Sequence, residues 1–223
     1  MFTNFKVIMY MSSPVAAIDD IILDSIISAA ICKECFSEKY YSGKKKYGTK
    51  KEIEKSLDLV LDKNMGVYCT SKAIGNNEEF VSFWSKQFNS KDIDFVKEKK
   101  RGKPRVSIAS GHFKAYNNQI NLKSYKTITF YVRGDKEKIK KLLKNNINFV
   151  GKKNSQGYGE ILKYEFLDCD DNYSIFKDGK LMRPIPFREY MKLEKPIAKE
   201  NSLKELPIIP PYWRSDHKEL CIL

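Results

Sequence analysis

The stretch from residue 126 to residue 167 constrains the fold most, because it combines two strand patterns with a capped helix between them. Apolar and polar side chains alternate over residues 126–133, which predicts a strand with one buried face. Asp135 then precedes a helical pattern of apolar residues and lysines, and it is predicted to cap that helix. Residues 158–167 again have strand character. The segment is therefore predicted to form a β-α-β unit.

A second β-α-β pattern precedes the first one along the chain. Residues 5–12 predict a strand, residues 18–36 a helix with a broad apolar face, and residues 66–74 another strand. A short helical stretch is predicted over residues 53–61. Residues 75–125 lie between the two halves as an insertion. Two β-α-β halves in this order predict an α+β, ferredoxin-like (RRM-like) fold.

The ferredoxin-like domain is predicted to span residues 1–170, with the insertion as a possible thumb or arm. The aromatic-rich segment at its start, residues 80–88, fits either a strand or a helix. Residues 171–223 have a different character. Asp178-Gly179 between two apolar runs predicts a β-hairpin, and the proline-rich stretch that follows predicts an extended tail.

The charge of the chain points to a polyanionic partner. Its 223 residues include 41 Lys and Arg against 28 Asp and Glu, a net charge of +13. Such a field attracts nucleic acid more strongly than small acidic molecules. An AT-rich genome also enriches lysine, so the position of the charge matters more than its total.

Cysteine usage and hydropathy favour a cytoplasmic protein. Five cysteines cannot all pair in disulfides, and this odd number fits a reducing compartment. The lone Cys32-x-x-Cys35 pair lacks a second pair of ligands to complete a zinc site. No metal or cofactor is predicted. The apolar runs are too short to span a membrane.

Residues 150–160, V-G-K-K-N-S-Q-G-Y-G-E, form a glycine-rich loop that fits neither common nucleotide-binding fingerprint. No Lys-Ser/Thr pair follows a glycine at the P-loop spacing. The loop also stands before a strand, whereas a dinucleotide fingerprint opens a helix.

An anion cradle remains, since glycines allow main-chain N–H groups to face a phosphate. We expect Gly151, Gly157 and Gly159 to shape the cradle and Lys152, Lys153 and Ser155 to contact phosphates, with Tyr158 offering a ring to a base. The alternative is a glycine-rich turn or bulge with solvated lysines.

Two further segments mix aromatic and cationic residues, the composition that binds single-stranded nucleic acid. Residues 109–116, A-S-G-H-F-K-A-Y, contribute His112, Lys114 and Tyr116 as candidate contacts. A basic run in the insertion contributes candidate arm contacts to a guide or target strand: Lys99, Lys100, Arg101, Lys103 and Arg105.

The motifs, taken in order, resemble the RAMP superfamily of CRISPR effector proteins, and more closely the type IV version of the fifth Cas family. They are an early P-x-x-x-x-D helix (residues 14–28), W-S-K-Q-F, A-S-G-H-F-K-A-Y, F-Y-V-R-G-D, the glycine-rich loop and D-G-K-L-M-R-P-I-P. The resemblance covers residues 5–190. Arg133 of the R-G-D segment joins the expected RNA contacts.

The resemblance implies a subunit that caps the 5′ handle of a CRISPR guide RNA (crRNA) inside a ribonucleoprotein complex that defends against viruses and plasmids. The implied partners are the crRNA, the backbone RAMP subunits and the large subunit, with target DNA as a further candidate. Such proteins usually bind RNA and leave cutting to a separate nuclease, so this chain is expected to be no enzyme.

Two alternatives stay open. The chain could be a metal-independent endoribonuclease that cuts CRISPR repeat RNA, with His112 as general acid or base near Lys114 and Tyr116. It could also be a solitary module that binds single-stranded DNA or RNA or associates with the ribosome. The neighbouring carboxylates Asp168, Asp170 and Asp171 are interpreted as a solvated corner, not as a metal site.

Overall fold

The structure is a computed structural model that describes residues 1–17, 20–41, 50–89, 91, 106–193, 202–212 and 218–223. Its helices are α1 (Leu23–Tyr41), α2 (Lys50–Asp58), α3 (Lys136–Asn146) and α4 (Phe187–Tyr190). Its strands are β1 (Thr3–Met11), β2 (Val15–Ala16), β3 (Lys63–Asn64), β4 (Val67–Tyr68), β5 (Asn77–Lys86), β6 (Tyr116–Tyr125), β7 (Thr127–Gly134), β8 (Ile161–Asp168), β9 (Phe176–Lys177), β10 (Lys180–Leu181), β11 (Ile185–Pro186), β12 (Leu203–Pro207) and β13 (Lys218–Ile222). Among the described residues, no helix is both long and apolar enough to cross a bilayer.

The central sheet has the strand order β7-β1-β8, with both pairs antiparallel. Residues 69–74 extend it on the free side of β7, where Thr70 bridges to Val132 and Ile74 to Thr129. The resulting order, β8-β1-β7 and then residues 69–74, is the split β-α-β arrangement of a ferredoxin-like domain. The predicted fold class is therefore confirmed.

The core lies between this sheet and the helices, as the strand alternation requires. Phe5 and Val7 of β1 and Phe130 of β7 are completely buried in one cluster with Ile27 of α1 and Leu143 of α3. The next residue in each strand faces the other side of the sheet. The Asp135 carboxylate caps α3 by accepting a hydrogen bond from the Lys138 N–H at 3.1 Å, as predicted.

Helix α1 begins at Leu23, so the predicted start near residue 18 was wrong. Just before the helix, Ile22 forms an isolated bridge to Lys72, and the Ile21 carbonyl accepts a hydrogen bond from the Ala73 N–H at 2.7 Å. Because these two residues pair with another segment instead of joining the helix, α1 starts later than the apolar pattern predicts. Residues 18 and 19 lie outside the described part of the chain.

Strands β5 and β6 form a long antiparallel ribbon, here called the arm. Their register runs over ten pairs, from Asn77 opposite Tyr125 to Lys86 opposite Tyr116. Most of residues 80–88, for which the sequence fitted either a helix or a strand, therefore belong to a strand. Along β5 almost every side chain is exposed, which means that most of this strand lies outside the core.

The C-terminal part adds a second, smaller core beside the sheet. The predicted hairpin is present as β9 and β10, with Asp178 (φ 49°) and Gly179 (φ 74°) in its turn. The extended tail contributes β12 and β13, which join β11 in a sheet of order β11-β13-β12. Ile185 and Cys221 of this sheet are buried against Val67 and Cys69.

Candidate nucleic-acid interface

Main-chain hydrogen bonds close the glycine-rich loop and tie it to the fold. The N–H groups of Val150 and Lys152 donate to Gly159 and Ala16, and that of Gly159 donates to Pro14, each at 2.8 Å. Between these ties the loop forms a short 3-10 helix, Asn154–Gln156. The amides that were expected to face a ligand along the whole loop are therefore partly used inside the protein.

Two of the three loop glycines are required by internal packing. A Cβ atom on Gly159 would stand 1.8 Å from the carbonyl oxygen of Val150, and one on Gly151 would stand 2.8 Å from that of Ala16. Gly157 has φ 84° and no atom within 4 Å of such a Cβ, so it faces open space. Only the Gly157 side of the loop has the open backbone that the cradle prediction requires.

The exposed part of the loop carries the predicted phosphate contacts. Lys152, Lys153, Asn154 and Ser155 are all exposed. The N–H groups of Asn154 and Ser155 begin the 3-10 helix and donate to no acceptor in the described part of the chain. Two lysines and two free donors therefore lie together on one exposed turn, and their contact with phosphate stays a prediction.

Tyr158 connects the loop to the arm. Its half-buried ring packs against Ala16, Ile120 and Leu122, so only part of it is open to a base. Strand pairing continues the same connection, since Lys152 bridges to Ala16, Ala16 pairs with Leu122, and Leu122 pairs with Phe80. At ~4.8 Å per strand the loop lies roughly 14 Å from β5. Loop and arm therefore form one continuous surface.

The arm exposes large apolar side chains on both of its faces. Phe80 (44% exposed) and Trp84 (39%) share the face that packs on the body, and Val81 (50%) and Phe83 (60%) point the other way. The Trp84 indole donates a hydrogen bond to the Tyr116 hydroxyl at 2.7 Å. The predicted contact Tyr116 is thus part of an aromatic pair.

The aromatic residues of β5 were not among the predicted contacts. They occur at both odd and even positions of the strand and so point to both of its faces, which means that a single buried face cannot accommodate all of them. That pattern was the available signal, and it was overlooked because the segment was not assigned to a strand.

Electrostatics at the base of the arm are set by a cross-strand pair. The Lys123 ammonium lies 3.0 Å from the Glu79 carboxylate, and this hydrogen bond raises the pKa of Lys123. A shallow cavity of about 320 Å³ lies beside the pair, lined in part by Phe80, Val81 and Asn121. Lys123 therefore has a resident acidic partner, unlike Lys152 and Lys153 in the loop, which form no ion pair within the described residues.

His112 and Lys114 are exposed at the far end of the arm. His112 lies in a 3-10 turn, Gly111–Phe113, where its ring contacts the Phe113 ring at 5.2 Å and its carbonyl accepts from Lys86 at 2.6 Å. Six strand residues, roughly 20 Å, separate Tyr116 from Leu122 near the loop. The arm end and the glycine-rich loop are therefore distant parts of the same surface.

Arg133 is not near the loop. Its guanidinium donates to the Asp62 carboxylate at 2.7 Å and to the Asn4 side chain at 3.1 Å, at the opposite end of β1. The predicted arm cations Lys99, Lys100, Arg101, Lys103 and Arg105 lie outside the described residues. Within the described residues, no three His, Cys, Asp or Glu side chains are grouped to hold a metal ion.

Comparison with known proteins gives one family match. The family model described as CRISPR type IV associated protein Csf3 matches residues 57–222. No curated protein matches the chain. Among solved structures, a chain of the "Cryo-EM structure of the Type III-B Cmr-beta bound to cognate target RNA" aligns with 12% identity and a TM-score of 0.40. The alignment covers 75% of this chain and 61% of the other, so this chain spans less than two thirds of that relative's length.

Proposed function

This chain belongs to the family of CRISPR type IV associated protein Csf3, and from that premise we propose that it is a guide-RNA-binding subunit that caps the 5′ handle of the crRNA without cutting it. The proposed interface is the continuous surface formed by the glycine-rich loop and the arm. Its partners in the proposal are the crRNA, the backbone RAMP subunits and the large subunit of an effector complex.

The observation that carries this proposal is the exposed aromatic surface of the arm. On the face that it shares with Tyr158 of the loop, the arm leaves Phe80 (44% exposed) and Trp84 (39% exposed) uncovered in the described part of the chain. Unpaired bases stack on such rings with little dependence on sequence. A single-stranded RNA lying along the arm would therefore cover the surface that the fold leaves open.

The loop supplies the complementary contacts to the sugar-phosphate backbone. Lys152 and Lys153 contribute charge beside the free N–H groups of Asn154 and Ser155. Phosphate contacts position a strand, whereas stacking and base-edge contacts select it. In the proposal the loop fixes the path of the handle and the arm orders its bases.

The surroundings of His112 favour binding over cleavage. A catalytic histidine is usually oriented by a hydrogen bond to one ring nitrogen. In the described part of the chain, the contacts of His112 are a ring contact with Phe113 and a hydrogen bond from Lys86 to its backbone carbonyl. Neither contact orients the imidazole through a ring nitrogen. The endoribonuclease remains the alternative that the experiment below distinguishes.

The test is binding of a fluorescein-labelled handle RNA, followed by anisotropy. Phe80→Ala with Trp84→Ala removes two proposed stacking rings, and each lost stack is worth about 1–3 kcal/mol, or ~5- to 150-fold in affinity. Leu59→Ala is the matched control, because Leu59 is 67% exposed in the turn after α2, away from the arm. Affinity that is unchanged in the arm variant would refute the proposed interface.

A full-length CRISPR repeat RNA, incubated with the protein in EDTA, separates binder from nuclease. We expect the RNA to stay intact with the wild-type chain. A single cut that disappears in His112→Ala would replace the capping proposal with the endoribonuclease.

A further inference from the structure

The face of the central sheet opposite α1 and α3 is uncovered in the described part of the chain. Along β1 the outward side chains Lys6, Ile8 and Tyr10 are all partly exposed, whereas their neighbours are buried. On β7 the outward Tyr131 is likewise partly exposed, and on β8 Leu167 is 38% exposed. We call this surface the open face.

Each of two tyrosines on the open face has a lysine beside its ring. The Lys163 ammonium lies 4.1 Å from the ring centroid of Tyr10, and the Tyr10 hydroxyl donates to the Glu165 carboxylate at 2.9 Å. These contacts hold the Tyr10 side chain in one orientation on the central strand. A fixed ring loses little conformational entropy when a ligand stacks on it.

Tyr131, on the neighbouring strand, has a similar environment. The Lys177 ammonium donates to the Tyr131 hydroxyl at 2.6 Å and lies 4.6 Å from its ring centroid. The Tyr173 ring meets the Tyr131 ring edge-on at a centroid distance of 5.4 Å. The C-terminal hairpin thus brings a cation and a second aromatic ring to the rim of the open face.

Strand register places these groups in one field. Lys6 pairs with Tyr131 on one side and Leu167 on the other, and Tyr10 pairs with Lys163. Lys6 and Tyr10 are four residues apart on β1, or roughly 13 Å. In RNA-recognition motifs, a four-stranded sheet of this kind stacks two or three bases on aromatic side chains of its face.

The chemistry of the open face favours a single-stranded polyanion over a protein helix. Lys6, Lys163 and Lys177 oppose one acid among the strand positions, Glu165, which already accepts from Tyr10. At the rim, Asp171 accepts from Tyr173, and Asp62 pairs with Arg133. Its aliphatic residues are Ile8 and Leu167, too few for the apolar core of a protein interface.

We propose that the open face is a second binding site for single-stranded RNA, in which Tyr10 and Tyr131 stack bases and Lys6, Lys163 and Lys177 contact phosphates. The site goes beyond the proposed function, because it requires neither the arm nor the handle sequence. A strand that leaves the arm would have a second place to bind on the same molecule.

The first experiment uses the full-length chain and an oligouridine of about 12 nucleotides, within the range of site sizes for single-strand binders. One uridine is replaced by a photoreactive thiouridine, and crosslinked peptides are identified by mass spectrometry. Crosslinks to the β1 and β7 peptides that contain Tyr10 and Tyr131 are expected. Their absence would overturn the proposal without requiring any variant to fold.

The second experiment measures affinity in the Phe80→Ala/Trp84→Ala background, which removes the arm stacks. Adding Tyr10→Ala and Tyr131→Ala is expected to weaken oligouridine binding by at least ~5-fold and up to ~150-fold per lost stack. Tyr10→Phe with Tyr131→Phe is the matched control, since it keeps both rings and loses only the hydroxyl hydrogen bonds. Equal affinity in the alanine and phenylalanine pairs would overturn the stacking role.

The two proposals fail separately in this design. One outcome is that the arm variant binds handle RNA as tightly as the wild type while the alanine variant at Tyr10 and Tyr131 loses affinity for oligouridine. That result would support the open face and refute the arm interface. The reverse result removes the open face and leaves the arm interface intact.

Discussion

A buried ion pair joins the C-terminal part of the chain to the ferredoxin-like domain, and its removal should destabilise the protein strongly. Arg183 and Asp24 are 2% and 0% exposed, and the guanidinium lies 2.9 Å from the carboxylate. The Arg183 guanidinium also donates to the Thr70 hydroxyl at 3.0 Å and to the Tyr212 hydroxyl at 3.0 Å, and Tyr212 donates to Asp24. Burial opposes the charge on Arg183, but the hydrogen-bonded partners outweigh it and its pKa lies above the usual value.

Asp24→Asn leaves the guanidinium of Arg183 buried without its counter-charge. Breaking a buried pair from one side costs about 3–5 kcal/mol, because the remaining charge is uncompensated. With a urea m-value of about 2.5 kcal/mol per molar for a chain of this size, the unfolding midpoint should fall by about 1–2 M. Urea titration followed by far-UV circular dichroism measures the shift.

Asp20→Asn is the matched control, four residues away on the same segment. Asp20 also pairs with a cation, Lys72 at 3.2 Å, but both side chains are largely exposed, at 57% and 41%. An exposed pair contributes at most about 1 kcal/mol. The double variant Asp24→Leu/Arg183→Met should recover much of the loss, since it leaves neither charge buried. A loss below about 1 kcal/mol for Asp24→Asn, comparable to the Asp20→Asn control, would refute this account of the pair.

Three further predictions concern the loop and helix α3. Gly159→Ala should destabilise the protein most, Gly151→Ala less and Gly157→Ala least. The cost at Gly157 should be about 1–2 kcal/mol, because only there is it limited to the left-handed backbone. Thermal unfolding of the three variants checks this order, and equal losses would contradict it. Lys152→Ala with Lys153→Ala should reduce the slope of log affinity against log salt by about 1.4 if both lysines contact phosphates of a single strand, and an unchanged slope in a salt titration removes them from the interface. The hydrogen bond from the Lys138 N–H lowers the pKa of Asp135. The wild type should therefore have a larger free energy of unfolding than Asp135→Asn above the ordinary aspartate pKa of about 3.9, and this difference should vanish as the pH falls through the lower pKa of the folded state. Urea titrations across this range measure the difference, and a difference that does not depend on pH would contradict the prediction.

The prediction of the fold succeeded where the signal is local. Alternation in β1 and β7, the Asp135 cap and the Asp178-Gly179 turn each depend on a few consecutive residues. Such patterns specify one element at a time, and their order then leaves few topologies. The start of α1 was wrong because Ile21 and Ile22, which look helical in isolation, pair with residues 72 and 73 instead.

The candidate site was only partly accessible to sequence reasoning. The glycine-rich loop was identified, but its composition does not reveal that Gly151 and Gly159 serve internal packing. Likewise, nothing near Arg133 in the sequence indicates that Asp62 occupies its guanidinium. Both facts depend on residues that are far apart along the chain.

The sequence by itself thus predicted a ligand class and determined the alternation of strands and helices, because charge, aromatic content and periodicity are properties of the residues themselves. Only the tertiary structure decided which surfaces are open. It joined the loop to the arm through Ala16 and Leu122, left Phe80 and Trp84 exposed, and turned Tyr10 and Tyr131 to one uncovered face. Exposure is a property of long-range pairing, since a side chain is buried or free according to what the rest of the chain places over it.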